Sequence, residues 1–330
     1  MPFLKPEKRT PETDAFYARK YRQLSAKAGA IFGLQLGEFG ALHLVIRYVM
    51  DRKGQWSKKT WHVYKSAIAA QIRSLMEETT CPLNRKDFEA LLDKLSAQTQ
   101  HESMRRGTRT SSLKSRRISE EDLARLLAYL ESRKGLDKWA AFALTWCQAA
   151  RLTGLRPCEW AHAYVDFSPE VGPMLVVANA KRTQGRANGP TRHLDLSGLD
   201  PQQILLIDDM GVIARHYETT EETMAVLQRR ISKYLYRVAR IALGRRKHYP
   251  CLYTFRHQFA ADAKRSFSAP EVAALLGHGS DQTAARNYAR AATSTRSVMV
   301  KPIASEVANV RRVAHQRPEK PQVDLPTCSP

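Results

Sequence analysis

Apolar positions recur at helical spacing through most of this chain. After Ser57, a good N-cap, Trp61, Tyr64, Ile68, Ile72 and Leu75 fall on one stripe. A second stripe of Lys58, His62, Lys65 and Arg73 lies about a quarter-turn away. Such a charged stripe is either a solvated face or a surface laid along a polyanion. The same periodicity predicts helices near 11–27, 40–51 and 84–98, so residues 1–98 read as a helical domain. Residues 99–117 carry no apolar period. They are rich in Ser, Thr and Arg, with Arg105, Arg106, Arg109, Lys114, Arg116 and Arg117 crowded together, which is the composition of a basic linker.

A second domain is predicted over 118–303. It opens on the capping box Ser119-Glu-Glu-Asp122, followed by Leu123, Leu126, Leu127 and Leu130 at i, i+3, i+4 and i+7. A helix near 137–152 then delivers the chain into a Thr153-Gly-Leu-Arg156 turn. Strands at 174–178 and 192–196 flank a loop holding Gly185, Asn188 and Gly189, as in a hairpin, and Lys181 sits where the first strand enters it. Helices are expected again near 201–216, 221–243, 252–263, 270–276 and 283–288. The fold class is therefore mostly α with a small β-sheet. In the tail from 304, residues 305–313 suit one short helix with Val307, Val310 and Val313 on one side, and 318–330 read as disordered.

Charge narrows the partners. Lys and Arg number 53 against 32 Asp and Glu, a formal +21, while 43% of residues are hydrophobic. A real core with that excess of cations points to a polyanion such as nucleic acid, with an anionic membrane surface second. The N-terminus is charged too early to hold a signal-peptide core, and no apolar run is long enough to span a bilayer. The five cysteines are scattered, with no CxxC or Cys/His zinc spacing, so reduced thiols in a cytoplasm are expected. The sequence holds no Walker loop, GxGxxG or acidic metal cluster, so the expected chemistry uses neither nucleotide nor metal and no cofactor.

Four short motifs carry that chemistry: Thr153-Gly-Leu-Arg156-Pro-Cys-Glu159, Tyr253-Thr-Phe-Arg256, Leu276-Gly-His278, and Tyr288 ten positions beyond the histidine. Two guanidiniums offer fixed forks to a phosphate that gains charge in a transition state, and a phenol can attack it and hold it as an ester. Singly, each motif is an ordinary structural turn or core residue. In this order and spacing they resemble the tyrosine recombinases, the phage-integrase family.

That resemblance covers about residues 119–300 by motif and the first 98 in character only. It implies a helical core-binding domain and a mostly helical catalytic domain that clamp DNA between them. Arg156 and Arg256 would grip the scissile phosphate, and Lys181 would protonate the departing 5′ oxygen, with Arg182, Arg186 and Arg192 competing for that hairpin position. His278 would hydrogen-bond the phosphate or nucleophile, Tyr288 would form a 3′-phosphotyrosine, and Glu159 would steady the arginine turn. Tyr253 stands where the family usually has histidine, three residues before the second arginine. A phenol there can donate to phosphate but is a poor base at neutral pH. Lys58, Lys65, Arg73, Arg105, Arg106, Arg109, Arg116 and Arg117 are the expected DNA contacts.

The implied partners are double-stranded DNA carrying specific sites, a homotetramer on that DNA and an accessory DNA-bending protein, with no membrane. The implied activity is site-specific recombination, with integration or excision of a mobile element ahead of transposon cointegrate or chromosome-dimer resolution. A type IB topoisomerase shares the active-site logic and is the alternative of another class. The resemblance also implies that the C-terminal helix docks onto a neighbouring protomer.

Overall fold

The computed structural model describes residues 10–33, 39–78, 81–99, 114–180, 187–219, 223–283, 288 and 291–313. The chain divides into two compact units, Met1–Thr108 and Arg109–Pro330.

The first unit is helical: α1 (Pro11–Phe32), α2 (Phe39–Asp51), α3 (Lys58–Glu78) and α4 (Pro82–Ala97). The α1 start is capped by Thr10 with Pro11 in the first turn, where a missing N–H costs nothing. Ser57 caps α3, its Oγ accepting from Thr60 N at 3.1 Å. The apolar stripe of α3 is the core face: Trp61, Ile68 and Ile72 are buried, with Tyr64 and Leu75 packed beside them, against Leu24, Ala28, Val45, Val49, Phe88 and Leu92.

Lys65 corrects the expectation of a single charged stripe. Lying between Trp61 and Ile68 on the helix, it is only 6% exposed, and its ammonium donates to Ser96 O at 2.8 Å and Gln98 O at 2.9 Å. Helix ends leave carbonyls without partners, and Lys65 supplies donors at the end of α4. Burial, then the nearby charge of Lys53, lowers its pKa. Lys65 is a strut of this unit, not a DNA contact. Lys58 is exposed and Arg73 half-buried.

The second unit contains α5 (Glu120–Ser132), α6 (Ala140–Thr153), β1 (Ala163–Asp166), β2 (Met174–Ala178), β3 (Thr191–Asp195), α7 (Pro201–Thr219), α8 (Met224–Leu243), α9 (Leu252–Ser266), α10 (Ala269–Leu275), β4 (Lys301–Pro302) and α11 (Ala304–Ala308). Ser119 caps α5 through Asp122 N, as its box predicts. The strands form one antiparallel sheet in the order β1-β2-β3-β4, with Val177 opposite Arg192 and Val176 opposite His193. The sheet and helices share a core built on Leu126, Trp146, Trp160, Val177, Leu194, Ile207, Leu235, Phe255 and Phe259. The hairpin matches the sequence to within one residue. Strands β1 and β4, of four and two residues, are too short to show a period in the sequence.

The segment after the nucleophile candidate packs on its own domain. Glu306 accepts from the His193 backbone N–H at 2.7 Å, and Val307 and Val310 lie against Ala273 and Ala274 of α10. Within the single chain the C-terminal helix lies on α10 and β3. Among the described residues, no helix is long and apolar enough to cross a membrane.

Candidate active site

Two glycine turns build the site. Helix α6 ends at Gly154, whose φ of +65° is left-handed and whose missing Cβ would lie 2.3 Å from a Phe259 ring carbon. Only glycine fits there. Helix α10 ends in a Schellman motif: Gly277 N–H reaches Ala274 O at 2.9 Å and His278 N–H reaches Ala273 O at 2.8 Å, with Gly277 at φ +63°. The Thr-Gly-Leu-Arg and Leu-Gly-His motifs are thus helix terminators that throw Arg156 and His278 into one place.

Arg256, fully buried on α9, is gripped by those same two helix ends. It donates through Nη1 to Gly154 O at 2.6 Å and through Nη2 to Leu276 O at 2.8 Å. Carbonyls left over at helix C-termini are good partners for a cation. Its Nε donates to Tyr288 Oη at 2.9 Å, and Nη2 lies 3.4 Å from His278 Nε2. The Tyr288 ring sits 5.3 Å from the His278 ring and 5.0 Å from that of His257.

Glu159 is the hub beneath. Its carboxylate, with no side-chain exposure, pairs with Arg156, with Arg192 at 2.7 Å and with Arg256 at 3.7 Å, and it also accepts from the Arg156 backbone N–H at 2.8 Å. Burial opposes its charge, but Arg192 and Arg256, helped by Arg156, hold the carboxyl well below the usual carboxylate range. Three guanidiniums against one carboxylate leave this buried centre at a net +2 (three minus one). Such an excess of fixed positive charge suits an anion.

His278, almost wholly buried, feels that excess. Desolvation first, then Arg256, Arg156 and Arg192, push its pKa down to about 2, so the ring is neutral. Its Nδ1 is buried with no hydrogen-bond partner. Beside the arginines, Nε2 accepts from Arg256, which leaves the proton on Nδ1 and a donor without an acceptor.

A stability consequence follows. The unfolded chain protonates this histidine near pH 6.5 while the folded chain does not, so stability is complete above that value and is lost as pH falls toward the folded value. From pH 6.5 to 4.5 the wild type should lose up to about 1.4 kcal/mol per pH unit through His278. His257, lowered to about 4 by burial and then Arg116, adds in the same direction. Urea melts over this window should show His278→Gln with a flatter pH dependence. An unchanged slope would mean the ring charges in the fold.

The structure therefore brings Arg156, Arg256, His278 and Tyr288 together. Tyr253 lies one turn before Arg256 and is 41% exposed, so it is not a packing residue. Burial of its hydroxyl and the nearby Cys158 raise its pKa, while Arg256 and Arg156 act in opposition. Lys181, Arg105, Arg106 and Arg109 lie outside the described residues, and Arg116 and Arg117 are exposed.

Sequence reasoning missed two features. One is that Arg192, a hairpin cation that competes with Lys181 in the sequence, is instead buried against Glu159. The other is the outward face of α8, where Arg229, Lys233, Arg237 and Arg240 are exposed beside Tyr236. Their three- and four-residue spacing, on the side opposite Leu227, Ile231, Leu235 and Val238, was a readable signal of a basic face.

No family model matches the chain, and no curated protein matches it in sequence. Among solved structures, it is similar to the XerH site-specific recombinase bound to its difH substrate, at 15% identity and a TM-score of 0.49, over 83% of this chain and 75% of that one. It is similar as well to a lambda integrase dimer (residues 75–356) on a core site, at 16% identity and 0.47, over 86% and 91%. The XerA recombinase aligns at 16% and 0.35, over 82% and 86%. Likenesses this weak carry no conclusion about chemistry; the site does.

Proposed function

We propose that this protein is a phosphoryl-transfer enzyme acting on DNA through a tyrosine nucleophile. Within that class we read it as a site-specific tyrosine recombinase. The observation that carries the reading is the contact of Arg256 Nε with Tyr288 Oη inside a buried cationic centre that also holds Arg156 and neutral His278.

The scissile phosphate enters this centre and takes donors that Arg256 now gives to Tyr288, joined by Arg156 and the free Nδ1–H of His278. Such fixed donors are most effective where charge develops in the transition state. Tyr288 Oη attacks phosphorus, an Oη–P bond forms and the P–O5′ bond breaks. A proton reaches O5′, with Lys181 as its candidate donor, and the phenolic proton is lost, so the net proton count is unchanged. The ester keeps the bond energy, and attack by a 5′ hydroxyl of a partner strand reverses the step without ATP.

In this reading four protomers join two DNA sites in the cytoplasm, exchange strands through a Holliday junction, and integrate or excise a mobile element, with an accessory DNA-bending protein assisting. Arg116, Arg117, Lys58, Arg73 and the basic face of α8 contact phosphates. The test is covalent capture from a pool of nicked duplexes, followed by sequencing of the trapped ends. One recurring sequence supports recombination. Relaxation of any supercoiled plasmid with no preferred sequence would move the protein to the type IB topoisomerases.

Tyr253 supplies a separate test. Its hydroxyl senses the charges of Arg256 and Arg156 and should donate to the phosphate, so Tyr253→Phe should slow cleavage by about 1.5–3 kcal/mol, roughly 10- to 150-fold. Tyr253→His should retain activity and give the pH–rate profile an inflection near pH 6.5 that the parent lacks. A silent Phe variant with a damaged His variant would remove Tyr253 from the chemistry.

A further inference from the structure

Helix α9 meets Tyr288 at three heights. Arg256 Nε donates to its hydroxyl at 2.9 Å, the His257 ring lies 5.0 Å from its ring, and the Lys264 ammonium lies 3.5 Å from its backbone carbonyl. His257 and Lys264 are seven positions apart (264 − 257), two turns along one face of the helix. In the proposed reaction Arg256 and the Nδ1–H of His278 turn to the scissile phosphate, so the first contact is given up as the chemistry begins. The other two are not. His257 is half-buried, and its Nδ1 is enclosed with no hydrogen-bond partner among the described residues. Burial, then Arg116, Arg256 and Lys264, lower its pKa to about 4, so the ring is neutral. An enclosed nitrogen without a partner weakens the fold, and a hydrocarbon ring would avoid that loss. What His257 contributes here is a ring against the nucleophile.

We infer that His257 is a positioning residue whose ring packs on that of Tyr288 and keeps Oη in line for attack once Arg256 has turned to the phosphate. The inference rests on the recombinase reading, in which Tyr288 is the nucleophile. Aromatic rings in contact hold one another beyond the area they bury, without the directional demand of a hydrogen bond. The contact therefore persists while the hydroxyl exchanges Arg256 for phosphorus. Lys264 adds a hold on the backbone of the same residue. Such a hold matters because a misplacement of about 1 Å can cost roughly a hundredfold in rate. His257 is not required to give or take a proton, so another aromatic ring can replace it.

The test separates placement of the nucleophile from activation of the phosphate. A duplex with a 3′-p-nitrophenyl phosphate beside a free 5′ hydroxyl carries its own leaving group, so joining it uses the arginine centre and no tyrosine. The 5′ oxygen bonds to phosphorus, the P–O bond to the aryl group breaks, and p-nitrophenolate departs. His257→Ala should cleave a nicked duplex roughly 10- to 100-fold more slowly than wild type, whereas His257→Phe should restore cleavage to within about threefold. Both variants should join the aryl ester within about twofold of wild type, which also shows that they are folded. Equal loss in both reactions, no loss of cleavage in the Ala variant, or a Phe variant that cleaves as slowly as Ala overturns the positioning role. Failure of the wild type to form a covalent complex with the nicked duplex overturns the recombinase reading itself.

Discussion

Tyr288→Phe should bind DNA as the parent does and form no covalent complex with it at any time. The ring is held from several sides: the Arg256 guanidinium lies 5.3 Å from its centroid, and the rings of His278 and His257 pack against it. Phenylalanine keeps all of these contacts and removes only the oxygen that Arg256 Nε touches at 2.9 Å. The fold and the net +2 of the centre are therefore retained, while the nucleophile is gone. The loss is of the reaction, not of a fraction of its rate. Trapping on a nicked duplex, read by a denaturing gel, checks it. An adduct formed by the Phe variant would move the nucleophile elsewhere, with Tyr253, the other phenol that senses Arg156 and Arg256, as the first residue to examine.

Much of this site was readable before any coordinates, because its motifs are also helix punctuation. A glycine closing an apolar helix, with Arg or His one or two positions beyond it, announces a left-handed turn that aims the side chain that follows. That holds for Gly154 and Gly277 alike. The helix stripe of Trp61, Ile68 and Ile72 was equally plain. Lys65 was misread because a lysine three or four positions from core residues was assumed to reach solvent, when the end of a neighbouring helix lay within range of its ammonium. Arg192 was read only as one of the hairpin cations competing with Lys181, not as a buried partner of Glu159. Period two would have found it, since Arg192, Leu194 and Leu196 share one face and the leucines face the core. The hub role of Glu159 was legible only as help to Arg156. Its grip on Arg192 and Arg256 depends on contacts 33 and 97 positions apart (192 − 159 and 256 − 159) that no local pattern encodes.

Glu159→Gln should be the most destabilising single change at the site that leaves side-chain shape intact. The glutamine has nearly the volume of the acid, so packing against Ala180 and the Arg156 turn is kept. What disappears is the negative charge for three guanidiniums that are all at most 5% exposed. Removing one partner of a buried ion pair costs about 3–5 kcal/mol, because the charge left behind has been taken out of water without compensation. In a unit of this size each kcal/mol shifts the melting temperature by roughly 2–4 °C, so a drop of roughly 6–20 °C is expected. Exposed Glu121→Gln should change it by less than about 2 °C. Because the missing charge is anionic, inorganic phosphate or short duplex DNA should restore part of the loss in the Gln variant and stabilise the wild type less. A drop under about 2 °C, or no response to phosphate, would show that the arginines are compensated elsewhere and that Glu159 is not their hub.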